Sequence, residues 1–293
     1  MENSMTHVMA CIDGSASSTA VCDYAAWASV RLAAPLTFLH ALTKECAPPS
    51  DLSGTLSIGI RDRLLQELAK LDEQRNTLAK EHGDYLLEAA KHRVDQLGIV
   101  HPQGRQRHGK LVNCIQEIES EIKLLIIGRN GDTSGAPGER VGLGVENVIL
   151  TLNCPVLVTP SQFNIPRSFL IVFDGSETDC KTVEAIAHSP FLKGIKCHLL
   201  MIDAESDTAW SQVDWARNLL QNNNFTVQAE VMPGEYEIVI ERYCEQEKID
   251  ILVMSTCGNS KIQGFFVGNI ISRTLRSTAI PMLFLPSYLP TRR

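Results

Sequence analysis

Residues 7–15 read HVMACIDGS, and residues 169–176 read FLIVFDGS. Each segment is an apolar run that ends in Asp-Gly-Ser and continues into a helical pattern. This order predicts a buried strand, a tight turn and a helix whose N-cap is the Ser or a hydroxyl just after it. Because the motif occurs twice, about half a chain apart, the sequence is read as two copies of one unit.

Two more apolar segments repeat in the same order and are interpreted as the fourth and fifth strands. LLIIG at 124–128 returns as ILVMS at 251–255, and CPVLVTP at 154–160 returns as IPMLFLP at 280–286. Strands that alternate with helices predict a parallel sheet with helices on both faces. We therefore predict an α/β chain of two tandem Rossmann-like domains, residues 1–160 and 161–293, each with a five-stranded parallel sheet.

The predicted strands lie near 7–13, 35–42, 98–107, 123–128 and 155–159 in copy one, and near 168–174, 195–203, 225–232, 250–255 and 281–285 in copy two. The copies differ mainly between their second and third strands. There, copy one has a long insertion near 50–97 with leucines at helical spacing among charges, which predicts one long or two shorter amphipathic helices.

Composition excludes several classes of protein. The chain of 293 residues has a net charge of −7 and no basic run, so neither nucleic acid nor an anionic membrane is an expected partner. No apolar stretch is long enough to span a bilayer, and the first residues lack a signal-peptide pattern. The nine cysteines form no CxxC and no zinc-type spacing, which favours a cytoplasmic protein without a bound metal.

The candidate binding residues follow the first and fourth strands, where open α/β sheets bind ligands. Asp13 and Asp174 each follow a first strand, and copy two has a glycine-rich loop from Ser255 that leads into a helix near Gly268. Such a loop and helix N-terminus can bind phosphate through backbone N–H groups. Taken alone, the glycines are more often explained by tight turning, whereas Asp as a turn former and Asp as a ligand contact are equally open.

The ordered set of Asp-Gly-Ser, loop and Cys-Pro-Val-Leu-Val strand resembles the universal stress protein family, in both copies and over nearly the whole chain. The resemblance implies the adenine nucleotide alpha hydrolase-like form of the Rossmann fold. It also implies an ATP site in some members, with the triphosphate on a Gly-x2-Gly-x9-Gly-Ser/Thr loop and the early Asp near adenine and ribose.

Carried onto copy two, the family pattern selects Asp174, Ser255, Gly258, Gly268 and Asn269. Ser255 replaces the first glycine and Asn269 the hydroxyl residue, while nine residues still separate Gly258 from Gly268. We therefore expect ATP or a related adenine nucleotide, with or without Mg²⁺, in copy two.

The corresponding positions in copy one are Asp13, Gly128, Gly131 and Gly142. Ten residues separate the last two glycines, and Leu143 stands where a hydroxyl belongs. An apolar side chain at a phosphate position disfavours the anion, so this second site is predicted to be degenerate and to bind no nucleotide.

The resemblance implies a stress-response regulatory protein that acts by binding a nucleotide rather than by catalysis, with weak or no ATPase activity. The alternative is a scaffold that binds a protein or an apolar small ligand, and the protein partner is unknown in either case. An ATP-hydrolysing or redox enzyme is the third reading, and no catalytic constellation supports it. Resemblance to the family also predicts an intrachain pseudo-dimer through the apolar last strands, with a homodimer left open.

Three further features invite a functional reading. Residues 104–111, GRQRHGKL, nearly spell a P-loop but overlap the third strand. Cys257 lies in the copy-two loop, where a thiol is either reactive or a passive small residue. His40 and His198 fall within strand patterns and are read as hydrogen-bonded core or edge residues.

Overall fold

The computed structural model describes residues 6–42, 58–130, 143–256 and 267–286. In the described part of the first half, strands and helices alternate along the chain. They are β1 (His7–Cys11), α1 (Ser18–Leu32), β2 (Leu36–Leu42), α2 (Ile58–Gln96), β3 (Gln103–His108), α3 (Leu111–Gln116), β4 (Ile122–Gly128), α4 (Leu143–Thr151) and β5 (Val156–Thr159).

The second half repeats this order with a shorter second helix. Its elements are β6 (Ser168–Phe173), α5 (Glu177–His188), β7 (Lys196–Ile202), α6 (Asp207–Asn222), β8 (Val227–Met232), α7 (Tyr236–Gln246), β9 (Ile251–Ser255), α8 (Val267–Ser277) and β10 (Met282–Leu285). The predicted α/β class and the repeat of one unit are thereby confirmed.

The strands form one ten-stranded sheet in the order β3-β2-β1-β4-β5-β10-β9-β6-β7-β8. Neighbours within each half are parallel, whereas β5 and β10 pair antiparallel. Val156 lies opposite Phe284 and Val158 opposite Met282, and all four side chains are buried. The predicted intrachain pairing of the last strands is confirmed, and each strand covers an apolar edge that would otherwise invite aggregation.

Both faces of the central part of the sheet are buried, because successive side chains of its inner strands enter different cores. Val8 and Ala10 of β1 belong to one core, which α1, α2, α5 and α6 cover, and Met9 belongs to the other. Helices α3, α4, α7 and α8 cover that second core. Each core extends across the β5–β10 junction, so burial there links the two halves energetically.

Side-chain contacts also join the halves away from the sheet. Tyr24 of α1 packs edge-on against Phe163 of the connecting segment, with 4.7 Å between ring centroids. Arg129, just after β4, donates to the carbonyl of Ile280 at 2.7 Å and to that of Thr278 at the C-terminal end of α8. The division at 160/161 remains our proposal for the domain boundary.

Two sequence expectations require correction. The third strand of copy one starts at Gln103 rather than near 98, because Gly98 and His101, with φ of 86° and 55°, form a left-handed turn before it. The first strand ends at Cys11, two residues earlier than expected.

The insertion contains one continuous helix of 39 residues, α2, which is the first of the two predicted possibilities. Within the described ranges, no helix is both long enough and apolar enough to cross a membrane.

Candidate functional site

The copy-two site lies where the order of strands reverses, between β6 and β9. Asp174 follows β6 directly, and Ser255 is the last residue of the adjacent parallel strand β9. The structure therefore brings these two predicted residues to one edge of the sheet, although they lie 81 positions apart in the sequence. This is the edge at which open α/β sheets bind ligands.

A third residue, Asp179, connects the two. It lies in the first turn of α5 and is 6% exposed. Its Oδ1 accepts a hydrogen bond from the Ser255 hydroxyl at 2.6 Å, and its Oδ2 accepts one from the Asp174 backbone N–H at 2.9 Å. The N-cap Ser176 completes the turn, because its hydroxyl oxygen accepts from the Asp179 N–H at 3.2 Å.

The half-buried Asp174 lies beside the buried carboxyl group of Asp179. Asp174 Oδ1 accepts from the Ser176 N–H at 2.8 Å, while its buried Oδ2 has no hydrogen-bond partner among the described residues. Burial is the main cause that raises the pKa of Asp179, to about 7, and the neighbouring Asp174 charge raises it further. Burial and the neighbouring charge thus both favour the protonated form of Asp179.

Sequence reasoning missed Asp179. A signal was available in the comparison of the two copies, because Asp179 corresponds to Ser18 while Ser255 corresponds to Gly128. Copy one thus has a serine and a glycine at the two positions where copy two has Asp179 and Ser255. In copy two these residues are hydrogen-bonded to each other, so the copies differ at two positions that are in contact.

The remaining predicted residues of copy two lie in or after the loop that follows β9. Gly258 lies outside the described residues, as does Cys257. Gly268 and Asn269 are the second and third residues of α8, which confirms a helix start near Gly268. Helix α8 connects the parallel strands β9 and β10, so its N-terminus lies at the carboxyl edge of the sheet. The unpaired backbone N–H groups of a helix N-terminus can bind an anion.

Copy one brings Asp13 and Gly128 to the equivalent edge, at the ends of β1 and β4. Asp13 Oδ1 accepts from the Ser15 N–H at 3.0 Å and from the Ser18 hydroxyl at 3.3 Å. The Ser15 hydroxyl donates to the Asn130 carbonyl at 3.2 Å, so the turn is tied to the start of the following loop. Gly131 and Gly142 lie outside the described residues.

The two turns differ in what covers them. In copy one, a Cβ on Gly14 would lie 3.3 Å from the Leu86 methyl groups of α2, so an apolar side chain closes over the turn. In copy two, a Cβ on Gly175 would lie 2.5 Å from Oε1 of Gln212 of α6. Both glycines have φ near +76° to +79°, the left-handed region that favours glycine. Copy two therefore presents a polar amide where copy one presents leucine.

The other features singled out in the sequence have structural roles. Gly104 lies within β3 and Lys110 occupies the N-cap position of α3, so residues 104–111 do not form a loop after a strand as a P-loop does. His40 bonds through Nδ1 to the Ile12 carbonyl at 2.8 Å, and His198 bonds through Nδ1 to the Tyr243 hydroxyl at 3.1 Å. Over the described ranges, no group of three or more potential metal ligands occurs.

Comparison with known proteins agrees with this architecture. The universal stress protein family matches residues 5–160 and 198–286, so Asp174 and Asp179 precede the second matched segment. Universal stress protein Slr1230 of Synechocystis sp. (strain PCC 6803) is 28% identical over 284 residues, which cover 95% of this chain and 99% of that protein.

Two solved structures share the fold over nearly the whole chain. A universal stress protein from Archaeoglobus fulgidus DSM 4304 has a TM-score of 0.66 at 13% identity and covers 98% of this chain and 100% of its own. A functionally unknown protein from Pseudomonas aeruginosa PAO1 has a TM-score of 0.60 at 16% identity, with 96% and 92% covered. Since the family matches well over half of the residues, in two segments that follow the repeat, this chain belongs to the universal stress protein family.

Proposed function

We propose that the chain binds an adenine nucleotide, ATP or a close relative, in its C-terminal half, and that it acts in a stress response by binding rather than by turnover. The observation that carries this proposal is the meeting of Asp174 and Ser255 at the point where strand order reverses. The adenosine end would lie near Asp174, and the phosphates near Ser255, Gly258, Gly268 and Asn269. Mg²⁺, where present, would accompany the phosphates.

The geometry of copy one supports its exclusion from nucleotide binding. Leu86 closes over the Gly14 turn, and Gly128 packs so tightly that a Cβ would lie 2.8 Å from the Ser17 Cβ. Arg129, the cation nearest to that strand end in sequence, is engaged with carbonyl groups of the other half. These contacts place an apolar side chain over the first turn and commit its nearest arginine to the other half.

Binding without turnover is proposed because the described residues at the site supply few groups for phosphoryl transfer. Catalysis of that reaction needs a positioned base and usually metal-binding carboxylates. Asp179 has both oxygens committed to internal hydrogen bonds.

The seven described cysteines are free, and burial raises the pKa of Cys154 to about 12, which disfavours a thiolate. Free thiols fit a reducing compartment, and the cytoplasm remains our proposed location.

The test is calorimetric titration of the desalted protein with ATP. Gly268→Val should abolish binding, because its side chain blocks backbone approach at the start of α8. Gly142→Val, the matched change in copy one, should leave the affinity unchanged. Loss of binding in Gly142→Val alone would show that the nucleotide is held by the first copy instead.

A scaffold remains the second candidate, and one observation favours it. Leu71, Leu78 and Tyr85 of α2 are 60%, 65% and 73% exposed, which is unusual for large apolar residues spaced along one helix. An apolar small ligand is less well supported, because the cleft between the halves, lined by Leu124, Phe191 and Leu283 among others, measures only about 90 Å³. Small-molecule sites typically enclose ~300–1,000 Å³.

A further inference from the structure

The Ser255 hydroxyl is already committed as a hydrogen-bond donor. It donates to Asp179 Oδ1 at 2.6 Å, a short bond of the kind made to a charged acceptor. Asp179 Oδ2 is also occupied, by the Asp174 N–H at 2.9 Å. A phosphate oxygen that reached Ser255 would therefore have to compete with a carboxylate for the hydroxyl proton, and it would meet a negative charge behind that hydroxyl.

The groups around Asp179 offer little to compensate that charge. Asp174, at the end of β6, contributes a second carboxyl group with a buried oxygen that has no partner in the described residues. Ser255 of β9 and Gln212 of α6, which lies beside the Gly175 turn, are uncharged. On α5 itself, Cys180 is the next residue, while Glu177 is paired with Lys181 at 2.7 Å on an exposed face. Two carboxyl groups in such a place favour the retention of one proton between them.

We propose that nucleotide binding in copy two depends on the uptake of one proton by Asp179, which lies beside Asp174 and holds the Ser255 hydroxyl. This inference rests on the proposed nucleotide function. When protonated, Asp179 donates its O–H to Ser255 Oγ, and the Ser255 hydroxyl proton becomes free to donate to a phosphate oxygen. When ionised, Asp179 accepts the Ser255 proton and repels the phosphate.

The same edge of copy one lacks this arrangement. Ser18 stands at the position of Asp179, and its hydroxyl donates to Asp13 Oδ1 at 3.3 Å. Gly128 stands at the position of Ser255 and has no hydroxyl to exchange. Proton-coupled binding is therefore a property of copy two alone, and Ser18 identifies the substitution that removes it.

The pH dependence follows from the titration of Asp179. Burial and the Asp174 charge raise the pKa of Asp179 to about 7 in the free protein, and bound phosphate would raise it further. By linkage, affinity is greatest below this pKa and falls as Asp179 loses its proton. For a bound-state pKa one to two units higher, the ATP affinity should fall about five- to tenfold between pH 6 and pH 8.

The experiment compares ATP titrations of the full chain and of Asp179→Asn at pH 6, 7 and 8. Asn keeps the shape of the side chain, since Oδ1 can accept from the Asp174 N–H and Nδ2 can donate to Ser255 Oγ. ATP itself titrates in this range, so the quantity of interest is the ratio of wild-type to variant affinity at each pH. Titration of the wild type at pH 7 in two buffers of different ionisation enthalpy measures proton uptake directly, expected at up to about half a proton.

A five- to tenfold fall of the wild-type to variant ratio over this range, with measurable proton uptake by the wild type, supports the inference. Binding by both proteins with a constant ratio, or wild-type uptake no greater than that of the variant, overturns it and leaves the nucleotide function standing. Failure of both folded proteins to bind ATP at any pH overturns the nucleotide function itself. Asp179→Ser, which installs the residue of copy one, replaces Asp179→Asn if that variant does not fold.

Discussion

Burial of the Asp179 carboxyl group should make the stability of the protein depend on pH in a direction opposite to that of most acidic residues. Its pKa is raised to about 7 in the folded chain, against about 4 in an unfolded one. A group whose folded pKa is raised contributes stability that is fully present below the unfolded pKa and is lost as pH rises through the folded pKa. The relevant window therefore runs from about pH 4 to pH 7.

The magnitude follows from the same two values. A three-unit difference corresponds to about 4 kcal/mol over the whole window, of which about 2–3 kcal/mol falls between pH 5 and pH 8. No discount for solvent screening is needed, because the residue is 6% exposed. Asp179→Asn keeps the two hydrogen bonds and removes the titration, so the variant should gain about 2–3 kcal/mol on the wild type as pH rises from 5 to 8.

Urea unfolding at several pH values and constant ionic strength measures this difference. Thr182→Val provides a control on the same helix, since its buried hydroxyl has no partner among the described residues and does not titrate. That variant should shift stability by a similar amount at every pH. If the difference between Asp179→Asn and wild type were equally independent of pH, the carboxyl group would be ionised in the folded protein throughout, and the reasoning about its burial would be wrong.

Three other perturbations test the assembly and the chemistry. Val158→Asp combined with Phe284→Asp places charges in the fully buried β5–β10 pairing, so the double variant should have separated halves or precipitate. Small-angle scattering measures this separation. Two separately tumbling halves in the unmutated chain would contradict the arrangement. Arg129→Met removes the donors to the Thr278 and Ile280 carbonyls and should cost about 1–3 kcal/mol in urea unfolding, whereas an unchanged midpoint would show that this contact contributes nothing. Purified protein with ATP and Mg²⁺ should release phosphate no faster than background, and multiple turnovers that disappear in Gly258→Val would establish an ATPase.

The alternation of short apolar runs with helical patterns determined the α/β class, the duplication and most of the element order. Those properties depend on local periodicity, which one chain displays without knowledge of its contacts. The sequence also placed Asp174 and Ser255 at one edge, because the carboxyl ends of parallel strands share an edge whatever the details of packing. The sequence misplaced the start of the third strand, which follows positive-φ residues at Gly98 and His101, and the end of the first strand, at Cys11.

Only the tertiary structure decided the register in which residues 156–159 and 282–285 pair, and which side chains surround the site. A periodic pattern shows that an edge strand is apolar, but the antiparallel register of Val156 with Phe284 depends on how the halves meet in space. Asp179 likewise reads as an ordinary acidic residue of a first helical turn. Its altered pKa arises from burial beside Asp174 and Ser255, and burial is a property of the folded assembly rather than of any local segment.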